Sequence, residues 1–173
     1  MGCGGSKTKN HKHLISLLTE DDKHNLQHSW RHFTSQDVVE GGMDIFFYIF
    51  KKHPEVKELF HFVGNGETSE SLKSNHRFRS HVGLFCETIR IAVEEIRDLE
   101  DILIFLRDLG NKHNLYGATP KYIETAGEGI NHALRKRLGK KFTSEVESSW
   151  NKFYKILAAS MIKGMQEDKV TIS

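Results

Sequence analysis

Two histidines stand where an imidazole would be sheltered from water. His81 and His113 each fall on the apolar side of a predicted helix. An imidazole among apolar side chains needs a partner for its nitrogens, and a flat apolar cofactor with a metal centre would supply one. The alternative is a core histidine bonded to a backbone carbonyl. Since the chain has 11 histidines, periodicity alone favours that alternative.

A second histidine group lies on the first predicted helix. Its members are spaced four residues apart, which is a spacing that can bind zinc or copper: His24, His28 and His32. The apolar face of the same helix is defined by other residues: Leu26, Trp30 and Phe33. Because the two sets lie on different faces, we expect the histidines to form a solvated surface stripe.

The amino terminus carries a lipidation pattern. Residues 1–6 read M-G-C-G-G-S, which matches the myristoylation motif with Gly2 as acceptor. One acyl chain binds a membrane only marginally, so Cys3 is predicted to carry a palmitoyl group. Basic residues follow and favour an anionic leaflet: Lys7, Lys9 and Lys12. The alternative is a disordered leader with chance glycines. We expect residues 1–17 to be a flexible leader that anchors the protein to the cytoplasmic face of a membrane, with the plasma membrane favoured.

Composition bounds the remaining possibilities. The 173 residues, 38% of them hydrophobic and 28% charged, suit one globular domain, which we place at 18–166 before a polar tail at 167–173. A net charge of +2 does not suggest nucleic-acid binding. Cys3 and Cys86 form no disulfide framework, which fits an intracellular compartment. No apolar run approaches the roughly 20 residues needed to cross a bilayer.

The elements that position the histidines are predicted to be helices. Apolar residues recur at helical spacing, and residues that favour helix N-caps precede these runs: Thr19, Ser35, Thr119 and Thr143. His81 falls in a predicted helix from about Ser71 to Ile96, and His113 ends one from Asp98. Gly41-Gly42 inside another helix indicates that a neighbouring helix crosses closely there. The sequence therefore predicts an all-α fold.

An ordered set of residues over nearly the whole of 18–165 resembles the globin family. The set comprises Trp30, His53-Pro54-Glu55, Phe60, His81, the segment L-G-N-K-H that ends at His113, and Trp150 with Phe153-Tyr154. His81 and His113 are 32 residues apart, as in globins. Within the family the chain is most similar to the six-coordinate neuroglobin and membrane-attached globin X groups.

The resemblance implies a globin fold of about eight helices that sandwich non-covalently bound haem b. His113 corresponds to the proximal ligand of the haem iron and His81 to the distal ligand. Further residues are implied as the haem pocket: Phe46, Phe60, Val82, Phe85, Phe105, Leu109, Ile123, Ala126 and Tyr154. Phe85 departs from the family pattern, in which valine is usual, and is expected to crowd the distal side. Cys86 lies off the pocket face and is expected to be a buried small residue.

The implied function is reversible binding of O2, NO or CO by a globin held through both histidines. With the leader, this favours membrane-associated redox chemistry or signalling, served by an unknown reductant. Two alternatives remain open. One is an oxygen storage or transport globin, and the other is an enzyme that reduces nitrite or consumes peroxides. The sequence does not indicate the oligomeric state.

Overall fold

The computed structural model describes residues 16–61 and 68–167, and every regular element within them is helical. The α-helices are α1 (Glu20–Phe33), α2 (Val38–Lys52), α3 (Ser69–Ser74), α4 (His76–Glu94), α5 (Glu100–Leu115), α6 (Pro120–Leu138) and α7 (Ser144–Met165). Two 3₁₀ helices join them, Pro54–Leu59 and Gly139–Lys141. The prediction of an all-helical chain with about eight helices is confirmed. No helix in the described ranges has the length and apolar character needed to cross a membrane.

Local side-chain chemistry sets most helix starts. The Thr19 hydroxyl accepts a hydrogen bond from the Asp22 backbone N–H at 3.1 Å, and the Asp22 carboxylate accepts from the Thr19 N–H at 3.0 Å. This reciprocal capping box confirms the predicted start of α1. The prediction that Ser35 caps the next helix is wrong. Asp37 is the cap, because its carboxylate accepts from the backbone N–H groups two and three residues later, at 2.9 and 3.1 Å.

The two helices that carry the histidines differ from their predicted bounds. The segment predicted as one helix from Ser71 to Ile96 is divided, because Asn75 is extended and its side chain accepts from the Phe78 N–H at 3.1 Å. This bond caps α4, which carries His81. The helix predicted over Asp98–His113 starts and ends two residues later, so His113 lies inside the last turn of α5.

The core is formed by helix pairs that cross closely. α5 packs on α7, while α2 packs on both α4 and α6. A Cβ atom at Gly42 would lie 2.5 Å from Cys86 Sγ and 2.6 Å from Val82 Cγ1, and one at Gly41 would lie 2.6 Å from Phe33. Only glycine permits this approach. The predicted close crossing at Gly41-Gly42 is therefore confirmed, and it brings α2 against the part of α4 that carries His81.

A buried polar cluster joins α1 to α7. The Ser149 hydroxyl donates to Asp22 Oδ1 at 2.9 Å, and Lys152 Nζ donates to Asp22 Oδ2 at 3.0 Å. Beside them, Trp150 Nε1 donates to the Ser29 hydroxyl at 2.9 Å. Buried polar groups that satisfy one another fix a single arrangement of the helices that carry them.

Candidate functional site

The fold brings the imidazole rings of His81 in α4 and His113 in α5 close to each other. Their ring centroids lie 6.4 Å apart, and their planes are inclined by 49°. Both side chains are partly buried. Two helices that are consecutive apart from a short turn thus present one imidazole each to the same space.

The backbone fixes the tautomer of His113. Its Nδ1 lies 2.9 Å from the carbonyl oxygen of Leu109, one helical turn earlier. A carbonyl only accepts hydrogen bonds, so Nδ1 carries the hydrogen and donates it. The lone pair of the neutral ring is therefore on Nε2. A metal-binding histidine is oriented by such a bond from its other nitrogen.

His81 is held by aromatic rings. The ring centroids of Phe46 and Phe60 lie 5.4 and 5.1 Å from that of His81, and both meet it edge to face, at 76° and 82°. No residue in 16–61 or 68–167 forms a hydrogen bond with His81. Burial, with a smaller effect from neighbouring His113, lowers the pKa of His81 to about 4. The ring is consequently neutral at physiological pH, which is the form that binds metals.

Phe46 is the centre of an aromatic cluster on the His81 side. Its ring meets Phe78 at 5.7 Å and Phe85 at 5.4 Å, each nearly perpendicular to it. Phe85 stands one helical turn after His81, so both side chains of α4 lie against Phe46. Phe85 thus packs edge to face on Phe46, which restrains both rings. The expected crowding of the distal side by Phe85 stays a prediction.

The remaining predicted pocket residues lie in three places. Val82 is fully buried against α2, and Ile123 and Ala126 are buried in α6. The Tyr154 hydroxyl donates to the Ile123 carbonyl oxygen at 2.7 Å, and burial raises the pKa of Tyr154. Phe105 and Leu109 precede His113 by two turns and one turn on α5. Leu109 is half-buried, whereas Phe105 is 49% exposed. The haem contacts assigned to these residues stay predictions.

The family resemblance uses His53 only as part of the segment His53-Pro54-Glu55, yet the structure shows that its side chain links α2 to α6. Its Nε2 lies 3.1 Å from Thr125 Oγ1. The Thr125 hydroxyl also donates to the Lys121 carbonyl oxygen at 2.9 Å, and His53 Nδ1 lies 3.3 Å from Glu55 Oε1. The two residues are 72 positions apart in the sequence, and only the folded chain shows that the histidine of His53-Pro54 is a buried bridge.

The sequence also singled out the α1 histidines, Cys86 and the lipidation candidates. His24 and His28 are exposed and His32 is half-buried, and no three or more histidine, cysteine or acidic side chains converge to hold a metal within the described ranges. Cys86 is buried, as predicted, and burial raises the pKa of its thiol to about 12. Such a thiol does not act as a redox nucleophile. The lipidation candidates, Gly2 and Cys3, lie outside the described residues.

The haem implied by the family resemblance fits between His81 and His113. A metal–imidazole bond of about 2 Å on each side, with half of each ring added, places two ring centres roughly 6 Å apart. The observed separation is 6.4 Å. The neighbouring Leu and Phe side chains suit a flat apolar group. These two histidines are therefore the residues that would hold the iron.

Comparison with known proteins gives matches over most of the chain. The family described as Globin matches residues 43–161. The neuroglobins of Dissostichus mawsoni and Tetraodon nigroviridis are 31% and 30% identical over 150 residues, which are 87% of this chain and 94% of each relative. A hexacoordinated heme protein from an anhydrobiotic tardigrade, solved at pH 4, superposes with a TM-score of 0.78 at 24% identity, over 87% of this chain and 96% of its own. This chain belongs to the globin family.

Proposed function

We propose that this globin binds haem b, that His113 and His81 both ligate the resting iron, and that the protein binds O2, NO or CO reversibly. The single observation that carries the proposal is the facing pair of imidazoles with centroids 6.4 Å apart. Membership of the globin family supports haem as the cofactor. The name of the tardigrade protein, which states hexacoordination, supports a second axial ligand.

The chain contributes a fixed ligand and a displaceable one. Because Leu109 holds the Nδ1–H of His113, Nε2 is presented in one orientation. His81 contacts the rings of Phe46 and Phe60 and forms no hydrogen bond with a described residue, so no such bond must break for it to swing away. Bound haem supplies reversible gas binding and one-electron chemistry at its iron.

Competition by His81 determines which use the site suits. An external ligand must take the position that His81 occupies. The apparent affinity for that ligand is therefore lower when His81 leaves the position free in a smaller fraction of the molecules. A site of this kind suits redox chemistry, NO or nitrite chemistry and signalling better than bulk oxygen transport. We propose that this activity takes place at the cytoplasmic face of a membrane, and the sequence M-G-C-G-G-S supports this because it matches the myristoylation motif and basic residues follow it.

The ferrous visible spectrum tests the proposal directly. Haem-loaded, deoxygenated ferrous protein is expected to show the two sharp green bands of six-coordinate iron. His113→Ala is expected to lose most of its haem affinity, whereas the exposed-histidine control His28→Ala is expected to match the unsubstituted protein. A single broad green band in the unsubstituted protein would contradict ligation by both histidines.

A further inference from the structure

The helix that carries His113 rests on α7 through two glycines. A Cβ atom on Gly110 would lie 1.9 Å from the carbonyl oxygen of Met161, and one on Gly164 would lie 1.8 Å from the carbonyl oxygen of Arg107. Gly110 thus contacts the carbonyl group of Met161, three residues before Gly164. In the same way, Gly164 contacts the carbonyl group of Arg107, three residues before Gly110. The contact is reciprocal and joins backbone to backbone, with no side chain that can rotate out of the way.

Polar contacts on the same pair of helices hold this crossing in place. The Ser160 hydroxyl donates to the Leu103 carbonyl oxygen at 2.6 Å and is buried there. Arg107 Nε donates to Glu167 Oε2 at 2.7 Å, close to the end of α7. Ser160 lies four residues before Gly164 and Glu167 three residues after it. The two helices are consequently tied on both sides of the glycine contact.

We propose that Gly110 and Gly164 are positioning residues of the haem site. Gly110 lies one turn before His113 on α5, so the depth at which α5 sits on α7 sets where His113 stands relative to His81. The inference rests on the proposed ligation of haem by these two histidines. It adds that the iron-ligand geometry depends on a backbone contact one helical turn away from His113.

The size of the expected displacement supports this role. A methyl group at either glycine must move from below 2 Å to at least 3.0 Å from a carbonyl oxygen, so the helices separate by about 1 Å. Packed helices move as units because the core is close-packed. Metal–ligand bond lengths in formed sites lie within about 0.2 Å of their usual values. A displacement of this size therefore disfavours simultaneous ligation by His81 and His113.

The proposal is tested by alanine at each glycine. In haem-loaded ferrous Gly110→Ala, the ratio of five-coordinate to six-coordinate iron, read from the visible bands, is expected to rise on the order of tenfold, which corresponds to about 1.4 kcal/mol. Gly164→Ala is expected to shift the ratio in the same direction. A spectrum identical to that of the unsubstituted protein for both variants overturns the proposal.

The double variant distinguishes one shared contact from two separate sites. A single separation of the helices relieves both clashes, so Gly110→Ala with Gly164→Ala is expected to change the ratio no more than the larger single substitution. Independent sites would multiply their effects. A multiplied effect therefore contradicts a reciprocal crossing.

Two other glycines provide matched controls. A Cβ on Gly83 of α4 would meet nothing within 4 Å, so Gly83→Ala is expected to leave the spectrum unchanged. A Cβ on Gly129 would lie 2.9 Å from Ile45 Cγ2 and 3.0 Å from its carbonyl oxygen. Gly129→Ala is thus expected to destabilise the α2–α6 contact without moving α5. If it shifts the spectrum as far as Gly110→Ala does, the effect is general destabilisation and the proposal fails.

Two further measurements keep the test decisive. If unsubstituted ferrous protein is five-coordinate, the proposal that His81 ligates the iron is wrong. The iron–His113 stretching frequency then tests the role of the glycines: a shift in Gly110→Ala supports this role, and an unchanged frequency overturns it.

If the alanine variants do not fold, Ser160→Ala loosens the same α5–α7 crossing without added volume. A shift of several-fold in the coordination ratio supports the proposal, and an unchanged ratio contradicts it.

Discussion

Phe46 of α2 and His81 of α4 pack edge to face, with ring centroids 5.4 Å apart and planes inclined by 76°. The same phenylalanine meets Phe85, one turn further along α4, at 5.4 Å and 79°. One aromatic side chain therefore restrains both His81 and Phe85. Since α2 reaches this position through the close crossing at Gly42, distal-side geometry depends on the α2–α4 contact.

Replacing His81 should convert the ferrous iron to five-coordination. In His81→Leu the side chain that competes with CO for the iron is absent. The apparent affinity for CO is therefore expected to rise by the inverse of the fraction of unsubstituted protein in which His81 is off the iron. If that fraction is under a tenth, the rise is tenfold or more. Equilibrium CO titration measures this. His24→Leu, which changes an exposed histidine of α1, serves as the control. Equal CO affinities of His81→Leu and unsubstituted protein would show that His81 does not compete.

Replacing Phe85 should open the distal side. Phe85→Val removes a ring that packs on Phe46, and CO association is expected to accelerate several-fold. The measurement belongs in a His81→Leu background, where competition by the histidine is absent and only steric access remains. The free energy of unfolding should fall by about 1–3 kcal/mol from lost packing.

Phe47→Val is the control for that experiment. Phe47 is also half-buried and stacks on Phe78, at 6.0 Å. It has a similar packing loss without contact to Phe85 or His81, and its CO association rate should not change. An acceleration of the same size in Phe47→Val would assign the effect to loosened packing.

The Asp22 cluster should make stability depend on acid pH. Burial acts to raise the pKa of Asp22, but hydrogen bonds from Thr19, Lys152 and Ser149 outweigh it and lower the pKa to about 2. A depressed folded-state pKa contributes stability that is present above the unfolded value near 4 and lost as pH falls toward 2. Thermal or urea unfolding between pH 7 and 2 should show this loss.

The substitution Asp22→Asn removes this contribution. It should lower the free energy of unfolding at pH 7 by about 1–3 kcal/mol, as expected for hydrogen bonds to a charged group, and flatten the acid limb of the stability profile. Asp21→Asn, at an exposed position in the same helical turn, should behave like the unsubstituted protein. An acid limb that persists in Asp22→Asn would show that other groups cause it.

Membrane attachment should depend on Gly2. Gly2→Ala removes the glycine that the myristoylation motif requires, and the protein is expected to move from the membrane to the soluble fraction of cells. Cys3→Ser should weaken attachment, because one acyl chain binds only marginally. Gly4→Ala alters the leader but keeps Gly2 and is expected to stay at the membrane. Soluble protein in both the unsubstituted and Gly2→Ala forms would refute the anchor.

A helix boundary was predictable where residues close in the sequence determine it. Other boundaries could not be predicted from the sequence. Thr19 caps α1 because its partner is three residues away. Ser35 and Asp37 both have capping side chains, and the choice between them depends on how α2 packs. Asn75 ends one helix and starts another although helical spacing continues across it, so periodicity alone could not locate the break.

The helix faces that carry His81 and His113 were predictable from the sequence, but the distance between the two rings was not. His81 and His113 fall on apolar stripes that the sequence shows, and the globin-like order assigned their roles. Their separation depends on how α4 and α5 pack, which no local pattern determines. Gly110 lies inside the motif L-G-N-K-H, yet its contact with Met161 joins residues 51 positions apart and exists only in the folded chain.

The buried cluster at Asp22 has a mechanical consequence. It fastens α1, the first described helix after the leader, to α7 at Ser149, and α7 supports the helix of His113 at Gly164. Fifteen residues of one continuous helix separate these two points, a span of about 22 Å. α7 therefore connects the two contacts within one rigid element, so a displacement of α1 relative to α7 is expected to alter the position of α5, which carries His113.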